Sequence, residues 1–296
     1  MDSLLAKKIE EGDFIITAEY LAGTNIDSDP VHKSQISGVL AVNVADNPYG
    51  PIISGLASAI KLERAGIEPI YQIVTRDRNR IALQSDILGA ASLGIKNILC
   101  LSGYHQSITE IPQSANVYDV DSIQLIDIVT RMNDEKVLLN GKKIDGNFSM
   151  LIGAVANPYL RPLELNIMRL AKKIRAGAKF IQTQGVFNTT DFHEWLEAAY
   201  QEGLTEKAAF IAGIYPLESY DEAISLLKKH TDFYIPESHI NSMRDAGGPA
   251  EQKRRGIAIC VETINKIKEM KGLSGIHIIS GGKEDIINEI ISQAGL

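Results

Sequence analysis

The chain has 296 residues, 45% apolar and 23% charged, with a formal net charge of −7, which is the composition of an ordinary globular protein. The acidic balance argues against general nucleic-acid binding. The sequence also lacks an apolar run near the roughly 18 residues of a membrane span and the N-terminal pattern of a signal peptide. Cys100 and Cys260 stand alone without a CxxC pair, so no iron–sulfur or zinc site is expected, and free thiols favour a reducing cytoplasm.

Short apolar runs recur along the whole chain and predict eight strands. The predicted ranges are 14–19, 39–44, 69–74, 97–101, 149–155, 179–182, 209–212 and 276–279. Amphipathic segments alternate with them, notably 163–176, 192–202 and 258–270. Repeated strand–helix units with near-continuous apolar strands indicate a parallel sheet. Because no GxGxxG follows the first strand, we expect a (β/α)8 TIM barrel, an α/β fold, that forms a single domain over residues 1–296.

Glycines mark the ends of several predicted helices. Gly66, Gly94, Gly177 and Gly272 each stand shortly before the next strand, the position at which a helix closes in the left-handed conformation. The connection after the fourth strand, residues 103–146, is much longer than the others. It predicts an irregular loop followed by a helix that starts near Asp121, and it is a candidate binding loop on the catalytic face.

Polar residues at the carboxyl ends of barrel strands are the first candidates for chemistry. They are Glu19, Asn43, Asp46, Gln72, Tyr104, Asn157, Gln184 and Tyr215. Glu19 ends an apolar strand, so burial would raise its pKa and suit a general acid, but a structural carboxylate explains the pattern equally well. Gln184 offers a paired donor and acceptor for a heterocycle, or a hydrogen bond that braces its loop.

A basic cluster follows the third strand. Arg76, Arg78 and Arg80 fall within five residues and suit an anionic ligand, although a helix start capped by Asp77 or Asn79 is the alternative. Lys173 lies in a predicted helix, where a lysine normally faces solvent, yet it would reach a phosphate if that helix bordered a cofactor groove. The histidines have no metal-ligand spacing, and no metal site is predicted.

Several segments together resemble the methylenetetrahydrofolate reductase family over nearly the whole chain. They are ITAEY, EPIYQIVTRDRNRIALQSDILGAASLGIKNILCLSG, VYDVDSIQLI, RLAKKIRAGAKFIQTQGVF, AFIAGIYPL and GIHIIS. The DVDSIQLI and GIHI variants are most similar to the branch of acetogenic and related anaerobic bacteria, which often works with a partner protein.

The resemblance implies a cytoplasmic barrel enzyme that binds FAD and reduces 5,10-methylenetetrahydrofolate to 5-methyltetrahydrofolate. It implies that Glu19 is the acid and that Gln184, Tyr104 and Gln72 bind the folate. The cofactor-binding positions it implies are Asn43, Arg76, Arg78, Asn79, Gly103, Tyr118, Asn157 and Lys173. NADH or a reduced partner protein would supply electrons, and a homo-oligomer is compatible with the resemblance.

Two acidic positions of the family pattern are neutral in this chain. Tyr104 replaces the aspartate that follows glycine beside the flavin, and Asn188 replaces another common aspartate. Three interpretations follow. The first is a reductase with a retuned flavin, and the second is a flavin-independent reductase in which Tyr104 stacks where flavin would lie. The third is a folate-binding methyl-transfer paralogue that works with a corrinoid protein. A tyrosine that only packs the loop is compatible with all three.

Overall fold

Eight parallel strands form a closed barrel in the computed structural model, which describes residues 3–31, 33–229, 234–281 and 284–296. The strands are β1 (Ile15–Tyr20), β2 (Ala41–Val44), β3 (Pro69–Val74), β4 (Asn97–Leu101), β5 (Leu151–Ala156), β6 (Phe180–Gly185), β7 (Ala209–Ile214) and β8 (Gly275–Ile278). Each pairs with its neighbours in chain order, and β8 closes the barrel on β1. The prediction of a TIM barrel is therefore confirmed.

Helices surround this barrel. In the described ranges they are α1 (Leu4–Glu11), α2 (Gly55–Arg64), α3 (Arg80–Ser92), α4 (Ser122–Asp134), α5 (Leu163–Ala176), α6 (Thr189–Gln201), α7 (Tyr220–Lys229), α8 (Glu237–Asp245), α9 (Pro249–Ile267) and α10 (Glu284–Ala294). A short 3₁₀ turn (Gln106–Ile108) lies between β4 and α4. None of these helices is long and apolar enough to cross a membrane.

Several predicted boundaries agree with the structure. β3, β4 and α5 have the predicted ends. Asp121 is the N-cap of α4, and it shares a capping box with Gln124, which fixes the helix start. The four helix-closing glycines all have positive φ, between 77° at Gly66 and 125° at Gly177.

Most other strand ends and both ends of α6 differ from the prediction by one to three residues, and the larger differences, at β6 and α9, have identifiable reasons. β6 continues to Gly185, three residues past the predicted end, because pairing with β7 resumes after a register shift between Gln182 and Gly185. α9 begins at Pro249 instead of residue 258. Its first two turns are polar and give no apolar period, while the proline sits in the first turn, where a helix tolerates it.

Apolar side chains fill the barrel interior at its amino end among the residues that the structure describes. Leu5 of α1 packs with Ile15, Ile70, Leu99 and Phe180 in one apolar cluster. Glu68 fixes α1 there by accepting hydrogen bonds from the amides of Leu4 (2.7 Å) and Leu5 (2.8 Å).

Candidate active site

A cavity of about 360 Å³ opens at the carboxyl ends of the barrel strands. Leu99, Leu101 and Val155 give part of its wall an apolar character, and polar groups from several strands and loops surround them. The volume lies in the range of small-molecule sites. Among the predicted site residues, this cavity brings together Glu19, Gln72, Arg76, Gly103, Tyr104 and Gln184.

Glu19 lies near the end of β1 in the wall of this cavity. Burial raises its pKa to about 7. The backbone amide of Gly281 donates a hydrogen bond to the carboxylate, which favours the ionised form and partly opposes this shift. Burial dominates because the carboxylate loses its hydration. A carboxyl with this pKa holds a proton near neutral pH and can transfer it, as general acid catalysis requires.

A buried polar network crosses the barrel interior between β1, β2, β6 and β8. Asn43 and Gln182 exchange two amide hydrogen bonds of 2.7 and 3.1 Å. The Gln182 amide also donates to Thr17 Oγ1 (3.3 Å), which lies 3.0 Å from His277 Nδ1. Burial lowers the pKa of His277 to about 3, so its imidazole is neutral. Gln182 and His277 therefore present fixed, uncharged polar groups to the cavity.

Residues after β7 form a second acidic part of the wall. Glu222 accepts hydrogen bonds from the Tyr215 hydroxyl (3.3 Å) and from the amide of Glu218 (2.7 Å). Burial raises the pKa of Glu222, and the bond from Tyr215 partly opposes the shift. All three residues line the cavity with Glu19 and Asp46. The cavity is thus rich in carboxyl groups, which suits a ligand with several N–H donors.

Arg76 joins the loops that follow β2 and β4. Its guanidinium binds Asp77 through two 2.8 Å contacts and donates to the carbonyls of Asn47 (2.6 Å), Tyr104 (3.3 Å) and Pro48 (3.5 Å). The side chain is 2% exposed. The two loops it joins carry Tyr49 and Tyr104, whose parallel rings lie 6.3 Å apart in the cavity wall.

The other predicted cofactor residues lie outside the cavity wall. Arg78 binds Asp46 through contacts of 2.6 and 3.0 Å and also Asp86 at 2.8 Å. Asn79 caps α3 by accepting from the amides of residues 81 and 82, which confirms the predicted cap. Tyr118, at φ 40°, donates its hydroxyl hydrogen to the carbonyl of Gly103 at 3.2 Å.

Three further predicted positions hold the scaffold around the cavity. Lys173 Nζ donates to the carbonyl of Val155 at 2.6 Å, and burial lowers its pKa to about 8. Asn157 accepts from the amide of Tyr159 at 2.9 Å. Asn43 belongs to the interior network described above. Asn188 caps α6 by accepting from the amides of residues 190 and 191.

Several cavity residues escaped the sequence analysis. Tyr49, Glu218 and Glu222 lie in loops or at a helix start rather than at the end of a predicted strand. In the sequence, His277 is one of the histidines that lack metal-ligand spacing. The signal that could have found it is its position inside β8, where alternate residues point into the barrel.

The side chains predicted to hold FAD do not fit its pyrophosphate. Arg76 and Arg78 are saturated by carboxylates and carbonyls. Arg80, which belongs to the basic cluster but not to the predicted FAD residues, is paired with Asp119 at 2.8 Å. Lys173 is half-buried and donates to a backbone carbonyl. A pyrophosphate needs charged donors or free amides directed at it, and these four cations are directed elsewhere. These side chains therefore do not form a site for the FAD pyrophosphate.

The closed barrel, with a partly buried titratable carboxyl at the carboxyl ends of its strands, has the arrangement typical of an enzyme of the TIM-barrel class. A sequence model described as methylenetetrahydrofolate reductase matches residues 4–295. The chain belongs to the methylenetetrahydrofolate reductase family.

Similar proteins are consistent with this membership. A probable methylenetetrahydrofolate reductase (NADPH) of Caenorhabditis elegans is 22% identical over 82% of this chain and 34% of its own length. Methylenetetrahydrofolate reductase 1 of Schizosaccharomyces pombe is 24% identical over 70% of this chain and 32% of its own. The chain thus spans about a third of the length of these curated relatives.

A solved structure supports the same fold. It is an uncharacterized protein from Clostridium thermocellum that binds two copies of 5-methyl-5,6,7,8-tetrahydrofolic acid. It aligns with a TM-score of 0.67 at 18% identity, covering 99% of this chain and 98% of that chain.

Proposed function

We propose that this protein binds a reduced folate in the central cavity and reduces 5,10-methylenetetrahydrofolate to 5-methyltetrahydrofolate. The observation that carries the proposal is Glu19, a carboxyl that is protonated near neutral pH in the wall of that cavity. Family membership supplies the reaction class, and the folate-binding barrel from Clostridium thermocellum supports the substrate class.

The proposed reaction begins with proton transfer. Glu19 gives its proton to N10 of the five-membered ring, the N10–methylene bond breaks, and N5 keeps the methylene group as a cationic iminium. A hydride then adds to that carbon and forms the methyl group. With reduced nicotinamide as donor, NADH becomes NAD⁺, and Glu19 regains a proton from solvent. A protonated carboxyl is required because N10 is a poor leaving group until it is protonated.

The remaining cavity groups bind and orient the substrate in this proposal. Gln184, Gln72 and the carboxyl-rich wall offer acceptors to the amino and N–H groups of a pterin, and the apolar side, with Leu99 and Leu101, contacts its ring. Tyr104 adds an aromatic surface where the family pattern has an aspartate. The loop 103–146 contributes through Gly103 and Tyr104 at its start.

The source of the hydride is the point at which this chain departs from the family's usual use of flavin and NAD(P)H. FAD is the cofactor that the resemblance implies, but Tyr104 takes the place of the aspartate beside the flavin, and its ring lies parallel to that of Tyr49, 6.3 Å away, in the cavity wall. The pairing of Arg76, Arg78 and Lys173 with protein groups does not distinguish the two donors, because FAD and NADH both carry a pyrophosphate. We infer that reduced nicotinamide acts without a resident flavin. The lone buried cysteines suit action in a reducing compartment such as the cytoplasm.

An absorbance spectrum tests this inference. The purified protein should be colourless and should stay colourless after incubation with excess FAD and desalting, while it still binds 5-methyltetrahydrofolate. A retained flavin band would restore the FAD-dependent mechanism. Folate binding without reduction by any donor would instead indicate the methyl-transfer paralogue that works with a corrinoid partner.

A further inference from the structure

One buried hydroxyl of the cavity wall has no hydrogen-bond partner among the described residues. Ser280 is 6% exposed, and its Oγ makes no hydrogen bond there. Other buried polar atoms in the described ranges are also unpaired, but their residues do not line this cavity; they are Ser34, Tyr71, Thr75, Trp195 and His239. Ser280 alone in this group is a residue of the cavity wall.

Ser280 directly precedes Gly281, the residue whose backbone amide binds the proposed acid Glu19. It lies two residues after β8, the strand that pairs with β1. The next residue, Gly281, donates its backbone amide hydrogen to Glu19. A ligand beside Glu19 therefore lies against the same segment of the cavity wall as Ser280 and Gly281.

We propose that Ser280 Oγ makes a hydrogen bond to the reduced pterin of the bound folate, next to Glu19. This inference rests on the proposed function. A buried hydroxyl without a partner destabilises the free protein, and a ligand that pairs with it removes that penalty on binding. A pterin offers ring nitrogens, N–H groups and a carbonyl, and a serine hydroxyl both donates and accepts. Ser280 is thus a substrate-binding residue, in addition to Gln184 and Gln72.

The test compares Ser280→Ala with the unmodified protein in two measurements. Titration calorimetry with 5-methyltetrahydrofolate should show a dissociation constant about five- to tenfold higher for the variant, since one neutral hydrogen bond is lost. The melting temperature without ligand should be unchanged or higher, because alanine removes an unpaired buried hydroxyl. A merely structural serine would lower the melting temperature.

Thr75→Val is the matched control. The Thr75 hydroxyl is also buried and unpaired in the described part of the chain, but Thr75 does not line the cavity. Its replacement should raise the melting temperature or leave it unchanged, with no change in folate affinity. Equal affinities for Ser280→Ala and the unmodified protein, or a lower melting temperature for that variant, would overturn the assignment of Ser280. Failure of the unmodified protein to bind 5-methyltetrahydrofolate would instead overturn the proposed function.

Discussion

Glu19 is the residue on which the proposed chemistry depends, and its environment determines its behaviour. The sequence placed a glutamate at the end of an apolar strand but left its role open between an acid and a paired structural carboxylate. The structure gives it no cationic partner in the described part of the chain, and burial raises its pKa from 4.5 to about 7. The sequence could not decide between an acid and a paired structural carboxylate, because the answer depends on which groups the barrel brings to the cavity.

The raised pKa of Glu19 predicts a pH-dependent stability with a defined sign. Between pH 4.5 and 7 the native protein binds more protons at Glu19 than the unfolded chain does. The stability that the protonated Glu19 contributes is therefore lost as the pH rises through that window. Glu19→Gln removes the titrating group. When the pH rises from 5 to 8, the free energy of unfolding of the variant should increase by on the order of 2 kcal/mol relative to that of the unmodified protein. Urea denaturation at the two pH values measures this difference.

Glu10→Gln provides the control for this measurement. Glu10 is exposed on α1, and its replacement should leave the pH dependence as it is in the unmodified protein. If the stability of Glu19→Gln followed the same pH curve as the unmodified protein, Glu19 would have an ordinary pKa and would be a poor proton donor near neutral pH.

Among the secondary-structure elements, the predicted strands agree best with the structure where a proline or glycine marks the strand boundary. Pro69 begins β3, and a serine–glycine pair follows β4. β6 was predicted too short because its polar residues Thr183 and Gln184 have the composition of a turn, although backbone pairing continues through them. Local composition therefore predicts where a strand lies but does not predict pairing that resumes after a register shift.

The loops after β2 and β4 depend on Arg76, and this gives a prediction for their stability. Arg76→Lys retains the charge but cannot make the planar set of contacts with Asp77 and three carbonyls. The variant should lose about 2 kcal/mol or more in free energy of unfolding. It should also bind 5-methyltetrahydrofolate more weakly, since Tyr49 and Tyr104 lie on the two joined loops.

Arg80→Lys is the comparison for Arg76→Lys. Arg80 forms an exposed ion pair with Asp119, and such pairs contribute about 1 kcal/mol or less. Denaturant titrations that gave the same loss for both variants would show that Arg76 does not brace the two loops.

α9 supports the cavity wall after β7 through a close backbone approach at Gly256. A Cβ at this position would lie 1.7 Å from the carbonyl oxygen of Leu217, between the cavity residues Pro216 and Glu218. Gly256→Ala must move the helix or the loop, so we expect a loss of about 1–3 kcal/mol in stability and weaker folate binding.

Gly89→Ala is the matched control on another helix. Gly89 lies inside α3, and a Cβ there meets nothing within 4 Å. This substitution should raise stability by up to about 1 kcal/mol and leave folate affinity unchanged. A stabilising effect of Gly256→Ala would mean that the contact with Leu217 does not position the loop.

For the whole molecule, the repeated strand–helix pattern was sufficient to predict the barrel, because a parallel barrel imposes the same period on the entire chain. The site was less predictable. Arg78 and Lys173 are cations in the sequence, but the fold directs them to Asp46 and to a backbone carbonyl. Conversely, Glu222 reaches the cavity from the start of α7. Charge in a sequence does not reveal whether a side chain is free to bind a ligand.

The cavity as a whole suits the pterin ring of the proposed substrate better than the pyrophosphate group that FAD and NADH share. Carboxyl groups of Glu19, Asp46, Glu218 and Glu222 lie in its wall, although that of Asp46 is paired with Arg78. Arg76 is the cation among the described wall residues, and its guanidinium is committed to Asp77 and backbone carbonyls. Such a site favours a neutral ring with several N–H groups over a pyrophosphate.

The most direct test of this account is the formation of 5-methyltetrahydrofolate from 5,10-methylenetetrahydrofolate and NADH, measured by mass spectrometry without added flavin. The unmodified protein should form the product, and Glu19→Gln should be at least about 10²-fold slower while it binds 5-methyltetrahydrofolate with similar affinity. Absence of product with NADH, with NADH plus FAD and with a chemically reduced viologen would contradict the proposed reduction. Equal rates for the two proteins would contradict the role of Glu19.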